Sequence, residues 1–199
     1  MTTKGQNPNH PKKGSSITVD PIRSLKDIRK IKRKLKKTGS RDLLLFSMGI
    51  NNGLRVGDLL NLKVEDVIDL EPGETLKIRE QKTGKQNVLM VNGEVHQALE
   101  RFIEATNPKD EDPLFKSRKT GKALTVPYAS QLVKSWCRDL KGNFGSHTLR
   151  KTFGYIQRTE FGVGFDVLCK RFGHSSPAIT MRYLGIEDKE VNGILLNEI

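Results

Sequence analysis

The chain has little with which to cross-link itself or hold a metal. Two of its 199 residues are cysteines, Cys137 and Cys169, too few for a disulfide framework or a metal knuckle. Cys169 falls in an apolar helical pattern and reads as a small core residue. There is no His-Glu-x-x-His and no Cys/His pair at zinc spacing, so we expect neither a metal nor a cofactor. Aromatic residues make up 6%, with a single tryptophan. No apolar run approaches the thickness of a bilayer, which argues against a membrane partner, and no secretory signal is visible. These absences predict a reduced, cytoplasmic, nucleoid-associated protein. Acidic residues are also in deficit, 23 against 35 Lys and Arg, for a net charge of +12. That imbalance favours a polyanionic partner.

The positive charge is unevenly placed. Residues 1–40 hold twelve Lys or Arg against Asp20 and Asp27, leaving only +2 for the rest of the chain. Residues 1–20 read as a flexible basic tail, with Gly5, Pro8, Pro11 and Gly14 in a polar stretch. Ser24 is an N-cap with Asp27 at the capping-box offset, opening a helix whose apolar stripe is Leu25, Ile28, Ile31 and Leu35. Its other faces carry cations, among them Arg33 and Lys34. Such a helix either follows a duplex backbone, taking phosphate contacts, or is a solubilising surface. A second basic run, Lys116 to Lys122, supplies Lys116, Arg118 and Lys119 as further candidate DNA contacts.

Between these runs Ser40 is expected to cap a helix whose Leu-Leu-Leu-Phe segment is core. Asn52-Gly53 turns the chain and Arg55 opens a short helix. An arginine between apolar runs needs an anion, because an unpaired buried charge is costly. Asp58, at i+3, is one candidate partner and a bound anion is the other. Residues 75–80 and 87–91 read as strands of a hairpin turning at Lys82-Thr83-Gly84-Lys85. Residues 94–105 read as an amphipathic helix burying Val95, Leu99, Phe102 and Ile103. Thr125 and Pro127 start another, burying Leu132, Val133, Trp136 and Leu140.

Residues 145–185 are the most informative stretch. Ser146 is expected to cap a helix that places His147 and Arg150 on one face and Leu149, Phe153 and Ile156 on a buried one. Residues 165–172 form a second helix, with Val167, Leu168 and Phe172 as its apolar side. Ser176-Pro177 starts a third, which carries Tyr183 and stops at Gly185. Each polar residue has an ordinary explanation when taken singly: a helix-end histidine, a surface arginine, a core tyrosine. Together they offer two imidazoles, a guanidinium and a phenol. A nucleophilic tyrosine among cations suits a phosphate better than a carbonyl, because guanidinium matches phosphate oxygens bidentately.

His147-x-x-Arg150, Gly173-His174 and Tyr183 resemble the C-terminal signature of the tyrosine recombinases, the phage integrase family. Gly53-Leu54-Arg55-Val56-Gly57-Asp58 resembles that family's first arginine box, and the Lys82–Lys85 turn its lysine hairpin. The motifs keep the family's order and cover about residues 20–199. The resemblance implies a mainly α fold with a small antiparallel β-hairpin, and a site-specific recombinase or integrase acting through a 3′-phosphotyrosine intermediate. It implies catalytic roles for Arg55, Lys82, His147, Arg150, His174 and Tyr183, a supporting role for Asp58, and Lys85 as the alternative lysine. It also implies double-stranded DNA as substrate and a homo-oligomer, dimer or tetramer, assembled on it. Residues 21–199 then form the catalytic domain, with too few residues before Arg55 for a separate DNA-clamping domain. Two rivals share these motifs: a DNA-binding regulator without catalysis, and a type IB topoisomerase. The segment after Asp188 reads as a weak amphipathic tail with Val191, Ile194 and Leu195.

Overall fold

A computed structural model describes residues 18–186 and 192–198. Most of the tail expected over residues 1–20, and residues 187–191 of the expected C-terminal tail, lie outside the described residues. The described elements are α1 (Leu25–Thr38), α2 (Ser40–Asn52), α3 (Val56–Leu60), β1 (Thr75–Arg79), β2 (Gln86–Met90), α4 (Gly93–Thr106), α5 (Val126–Trp136), α6 (Thr148–Thr159), α7 (Phe165–Phe172) and α8 (Pro177–Leu184), then a 3-10 turn at Gly193–Leu196. This is the mainly helical fold with one antiparallel hairpin that the sequence predicts. The hairpin pairs Thr75 with Met90 and Arg79 with Gln86.

Helix α2 is the hub. Leu43 to Met48 are all buried, which is why the segment reads as a continuous apolar run rather than a stripe. It packs against α1, α4 and α6, and Phe46 meets Trp136 of α5 edge to face at 5.9 Å. The α1 stripe buries Ile28, Ile31 and Leu35, and Ser24 Oγ accepts from the Lys26 and Asp27 amides as an N-cap should.

Two glycines position the site. Gly53 ends α2 in the left-handed region at φ 61°, and a Cβ there would strike the Phe153 ring. Gly154 on α6 lets α8 approach closely, since a Cβ would lie 2.6 Å from Phe172 Cζ and 2.7 Å from Leu184 Cδ2. Residues 18–23 strap across the back of α6. The Ile22 amide donates to Thr152 Oγ1 at 2.8 Å, Thr148 Oγ1 donates to the Asp20 carbonyl at 3.0 Å, and Arg23 Nη2 donates to the Gly185 carbonyl at 3.0 Å.

Several local expectations need correction. Ser40 is the first residue of α2, whose N-cap is Gly39 with no side-chain bond. Ser146 is not the cap of α6, because the helix begins at Thr148 with His147 at the cap position. Thr148 Oγ1 instead accepts the Gly145 amide at 3.0 Å, turning the chain by a different route. Phe153 is only half-buried and Val167 is exposed, because α7 buries Leu168 and Phe172 against α8 and turns Val167 outward. Ile103, Leu132 and Leu140 are half-buried at the edge of the core. Leu195 and Leu196 are exposed.

Candidate active site

Tyr183 stands on α8, half-buried, at the meeting point of α6, α7 and the turn before α3. Its hydroxyl lies 3.3 Å from His147 Nδ1. Its ring packs edge-on to the His174 ring at 5.0 Å and the Phe172 ring at 5.6 Å. Burial pushes the phenol above its usual range, while Arg150 and then Arg55 pull against that rise. The six residues singled out from the family motif therefore divide in a specific way. His147, Arg150, His174 and Tyr183 form one cluster. Arg55 is near enough for its charge to act on Tyr183 and on both histidines. Lys82, on the exposed turn of the hairpin, acts on His147. Lys85, next along the same turn, is exposed.

The two arginines are held differently. Arg150 is 3% exposed, and its Nη1 and Nη2 donate to the carbonyls of Gly53 (2.6 Å) and Phe172 (2.9 Å). The guanidinium also lies over the Phe172 ring at 4.7 Å. It thus ties the turn before α3 to the end of α7 and is rigid before any ligand arrives. Arg55 occupies the N-cap of α3 and pairs with Glu80 at 2.6 Å, not with Asp58. Asp58 reaches the hairpin instead, its Oδ1 accepting the Gln81 amide at 2.9 Å. Among the described residues, Asp58 Oδ2 is buried without a hydrogen-bond partner, whereas the equally buried Arg55 Nη1 is the atom that meets Glu80 Oε2. Native structures seldom leave an atom like Asp58 Oδ2 unpartnered unless a site uses it.

Glu80 is a site residue that no sequence motif marks. It is 5% exposed and also accepts from Thr83 Oγ1 (2.5 Å) and Asn87 Nδ2 (2.9 Å). Asn87 in turn accepts from Arg171, which also donates to the Asn52 and Val88 carbonyls. The chain of contacts Arg55, Glu80, Asn87, Arg171 joins α3, the hairpin and α7, and fixes the base of the lysine turn. A glutamate at a strand end beside a Thr-Gly turn carries no sequence mark of this role. Burial would raise its pKa, but the bonds from Thr83, Asn87 and Arg55 outweigh that and hold the carboxyl at about 2. A depressed folded-state value means the stabilisation is complete above the ordinary value of 4.5 and is lost as pH falls toward 2. We expect about 3 kcal/mol to disappear over that window. Denaturant unfolding at stepped pH measures it, and Glu80→Gln should flatten that part of the profile.

His147 sits at the exposed N-cap of α6. Its pKa is lowered by burial, then by Arg150, Arg55, Lys82 and Lys151, so it is neutral and able to accept a proton at pH 7. His174 Nδ1 lies 2.9 Å from the buried Thr180 Oγ1, leaving Nε2 for a ligand. Thr180, one turn before Tyr183 on α8, is the second site residue that the sequence left unmarked. Among the described residues no group of three metal-ligating side chains converges, and no helix is long and apolar enough to cross a membrane.

The candidate DNA contacts remain surface residues outside this cluster. Arg33 lines a hollow on α1 with Lys26, Arg29, Lys32, Lys36 and Glu94, whereas Lys34 is half-buried. Arg118 and Lys119 line another with Arg41 and Tyr128. Lys116 is paired with Asp112 at 2.7 Å.

Comparison with known proteins places this geometry. Residues 17–190 match the family described as the phage integrase family. A probable integrase/recombinase, YoeC, of Bacillus subtilis is 36% identical over 173 residues, spanning 85% of this chain and 91% of the relative. Tyrosine recombinase XerA of Pyrococcus horikoshii is 29% identical over 192 residues; the match spans 94% of this chain but 63% of that protein. A crystal structure of XerA recombinase superposes with a TM-score of 0.73 at 21% identity, covering 93% of this chain and 68% of the other. A lambda integrase dimer bound to a core site does so at 0.62 and 17%, covering 93% and 52%.

Proposed function

The chain belongs to the phage integrase family, and we propose that it is a site-specific DNA recombinase, cutting and rejoining DNA through a 3′-phosphotyrosine bond. The observation that carries this is the Tyr183 hydroxyl 3.3 Å from His147 Nδ1, with the His174 ring 5.0 Å from the Tyr183 ring. A phenol is a poor nucleophile until its proton has somewhere to go. His147 Nδ1 takes that proton as Tyr183 Oη attacks phosphorus in line. The bond from phosphorus to the 5′ oxygen breaks, and Lys82, at the hairpin tip, protonates the leaving hydroxyl; Lys85 is the alternative donor.

Arg150 and Arg55 take the non-bridging oxygens. Arg150 is already fixed by two carbonyls and Arg55 by Glu80, so stabilising the transition state needs little reorganisation. Donation by the Thr180 hydroxyl to His174 Nδ1 selects the tautomer with its proton on Nε2, which then donates to the phosphate. Asp58 holds the α3 turn against the hairpin, so that Arg55 and Lys82 move as one unit. A second strand's 5′ hydroxyl reverses the attack and completes the exchange. The bond energy stays in the phosphotyrosine, so the scheme uses neither nucleotide nor metal.

Residues 21–199 serve as the catalytic unit. Arg33, Lys34, Lys116, Arg118 and Lys119 contribute salt-dependent backbone contacts. The DNA is double-stranded and the working assembly is a dimer or tetramer on it, in the cytoplasm at the nucleoid. A nicked duplex from the native locus, incubated without metal and run on a denaturing gel, tests the reading. A covalent adduct at the 3′ phosphate supports it; a verified bound site that gives no adduct sinks it and favours the regulator.

A further inference from the structure

Lys151 is a buried cation that this chemistry does not use. It follows Arg150 on α6 and is 6% exposed. Its Nζ lies 4.9 Å from the centroid of the Tyr183 ring. Partly desolvating an ammonium is costly, and an apolar side chain of the same length would fill the space without that cost. Burial pushes its pKa down, and among its charged neighbours Asp20 raises it and Arg23 lowers it. The Asp20 carboxylate is itself engaged by the Asn143 amide at 2.8 Å. Lys151 therefore meets an aromatic face where an ordinary buried lysine would meet a carboxylate.

We propose that Lys151 is a positioning residue for the nucleophile, its ammonium seating the Tyr183 ring and gaining strength from it as the phenol becomes phenolate. The inference rests on the assignment of Tyr183 as the attacking group. A cation over a ring face is attracted by the ring's electron density, and that density rises as the oxygen loses its proton. The contact therefore tightens toward the transition state, which is the condition for an interaction to speed the step. Among the described residues, the other charged or titratable groups facing Tyr183 are Arg150 on α6, His147 at its N-cap, Arg55 at the start of α3 and His174 ahead of α8. All of them stay in place when Lys151 alone is changed.

The test uses the full chain as Lys151→Met and Lys151→Arg, with and without 3-fluorotyrosine. The chain has three tyrosines, Tyr128, Tyr155 and Tyr183, so three fluorine resonances result, and Tyr183→Phe assigns one of them. Without DNA, Lys151→Met should move the Tyr183 titration to higher pH and leave that of Tyr128 in place, while Lys151→Arg keeps it near the parent. The melting temperature of Lys151→Met should equal or exceed the parent's, because a buried charge has gone. On the nicked duplex, adduct formation should slow by roughly 5- to 30-fold, with duplex binding unchanged and Lys151→Arg largely restored. The proposal is overturned if the Tyr183 titration does not move. It is equally overturned if Lys151→Met melts lower and Lys151→Arg is as slow as Lys151→Met, which is the pattern of a scaffold residue. If the parent forms no adduct, the recombinase reading fails while the fluorine titration still decides the role of Lys151.

Discussion

Tyr183→Phe should bind its duplex, melt within a few degrees of the parent and form no covalent adduct, a loss of at least about 10⁴-fold. The loss is complete because the only atom removed is the one that attacks. No second hydroxyl replaces it: Tyr128 lies exposed on α5, and Tyr155 is buried with its ring under the Arg23 guanidinium at 4.9 Å. Folding survives because the ring, not the oxygen, makes the packing contacts. Phe172, His174 and Lys151 all touch the ring, whereas the hydroxyl's partner, His147, is at an exposed helix cap. Losing one such hydrogen bond costs about 1 kcal/mol, or roughly 2–4 °C in a domain of this size. Comparing adduct yield with melting temperature in one preparation separates a missing nucleophile from a damaged fold.

The sequence disclosed the residues whose chemistry is unusual and concealed those whose chemistry is ordinary. Arg55, His147, Arg150, His174 and Tyr183 stand at spacings that few structural patterns would produce, and the structure brings them together. The helix starts are legible where a side chain truly caps them, as at Ser24, Thr125 and Ser176. They were misread at Ser40 and Ser146, where a serine occupies the expected place but the backbone turns by another route. Glu80, Asn87, Thr180 and Lys151 were not legible, because each acts through a partner more than one element away or through a role that any surface residue could hold. The assignment of Arg55 to Asp58 or to an anion was left open by spacing alone. Only the third dimension shows that the anion facing Arg55 Nη1 is Glu80, at 2.6 Å, and that Asp58 turns to the hairpin instead.

The cations of the site also explain one another. His147 feels Arg150, Arg55, Lys82 and Lys151, and against these Glu80 and Asp58 are buried carboxylates of the same site. Positive charges brought this close repel, and the fold must hold them there. A bound phosphate relieves the repulsion, raises the affinity of His147 for a proton and strengthens it as a base when substrate arrives. On the proposed mechanism the free protein thus holds its base, His147, and its nucleophile, Tyr183, uncharged until substrate arrives.

Arg150→Ala should fail on both stability and chemistry, which distinguishes it from every other change at the site. Its two donor groups satisfy the buried carbonyls of Gly53 and Phe172, so truncation leaves both unsatisfied and removes the link between α7 and the turn before α3. Two buried carbonyls left without donors cost about 2–6 kcal/mol together, or a fall of roughly 4–24 °C in melting temperature. The same change removes a charge aimed at the developing oxyanion, worth about 10³-fold or more in adduct formation. Arg150→Lys separates the two effects. It keeps the charge, but a single nitrogen cannot span the two carbonyls that the guanidinium reaches from Nη1 and Nη2 separately. Its melting temperature should recover more than its activity. Arg55→Ala, by contrast, breaks a pair at the edge of the pocket and should cost less stability for a comparable loss of rate. Melting curves and single-turnover adduct rates for the three variants would show whether rigidity and charge are supplied by the same arginine. If Arg150→Ala melts like the parent, the two carbonyl contacts are not holding the site, and the preorganisation assigned to this arginine fails with them.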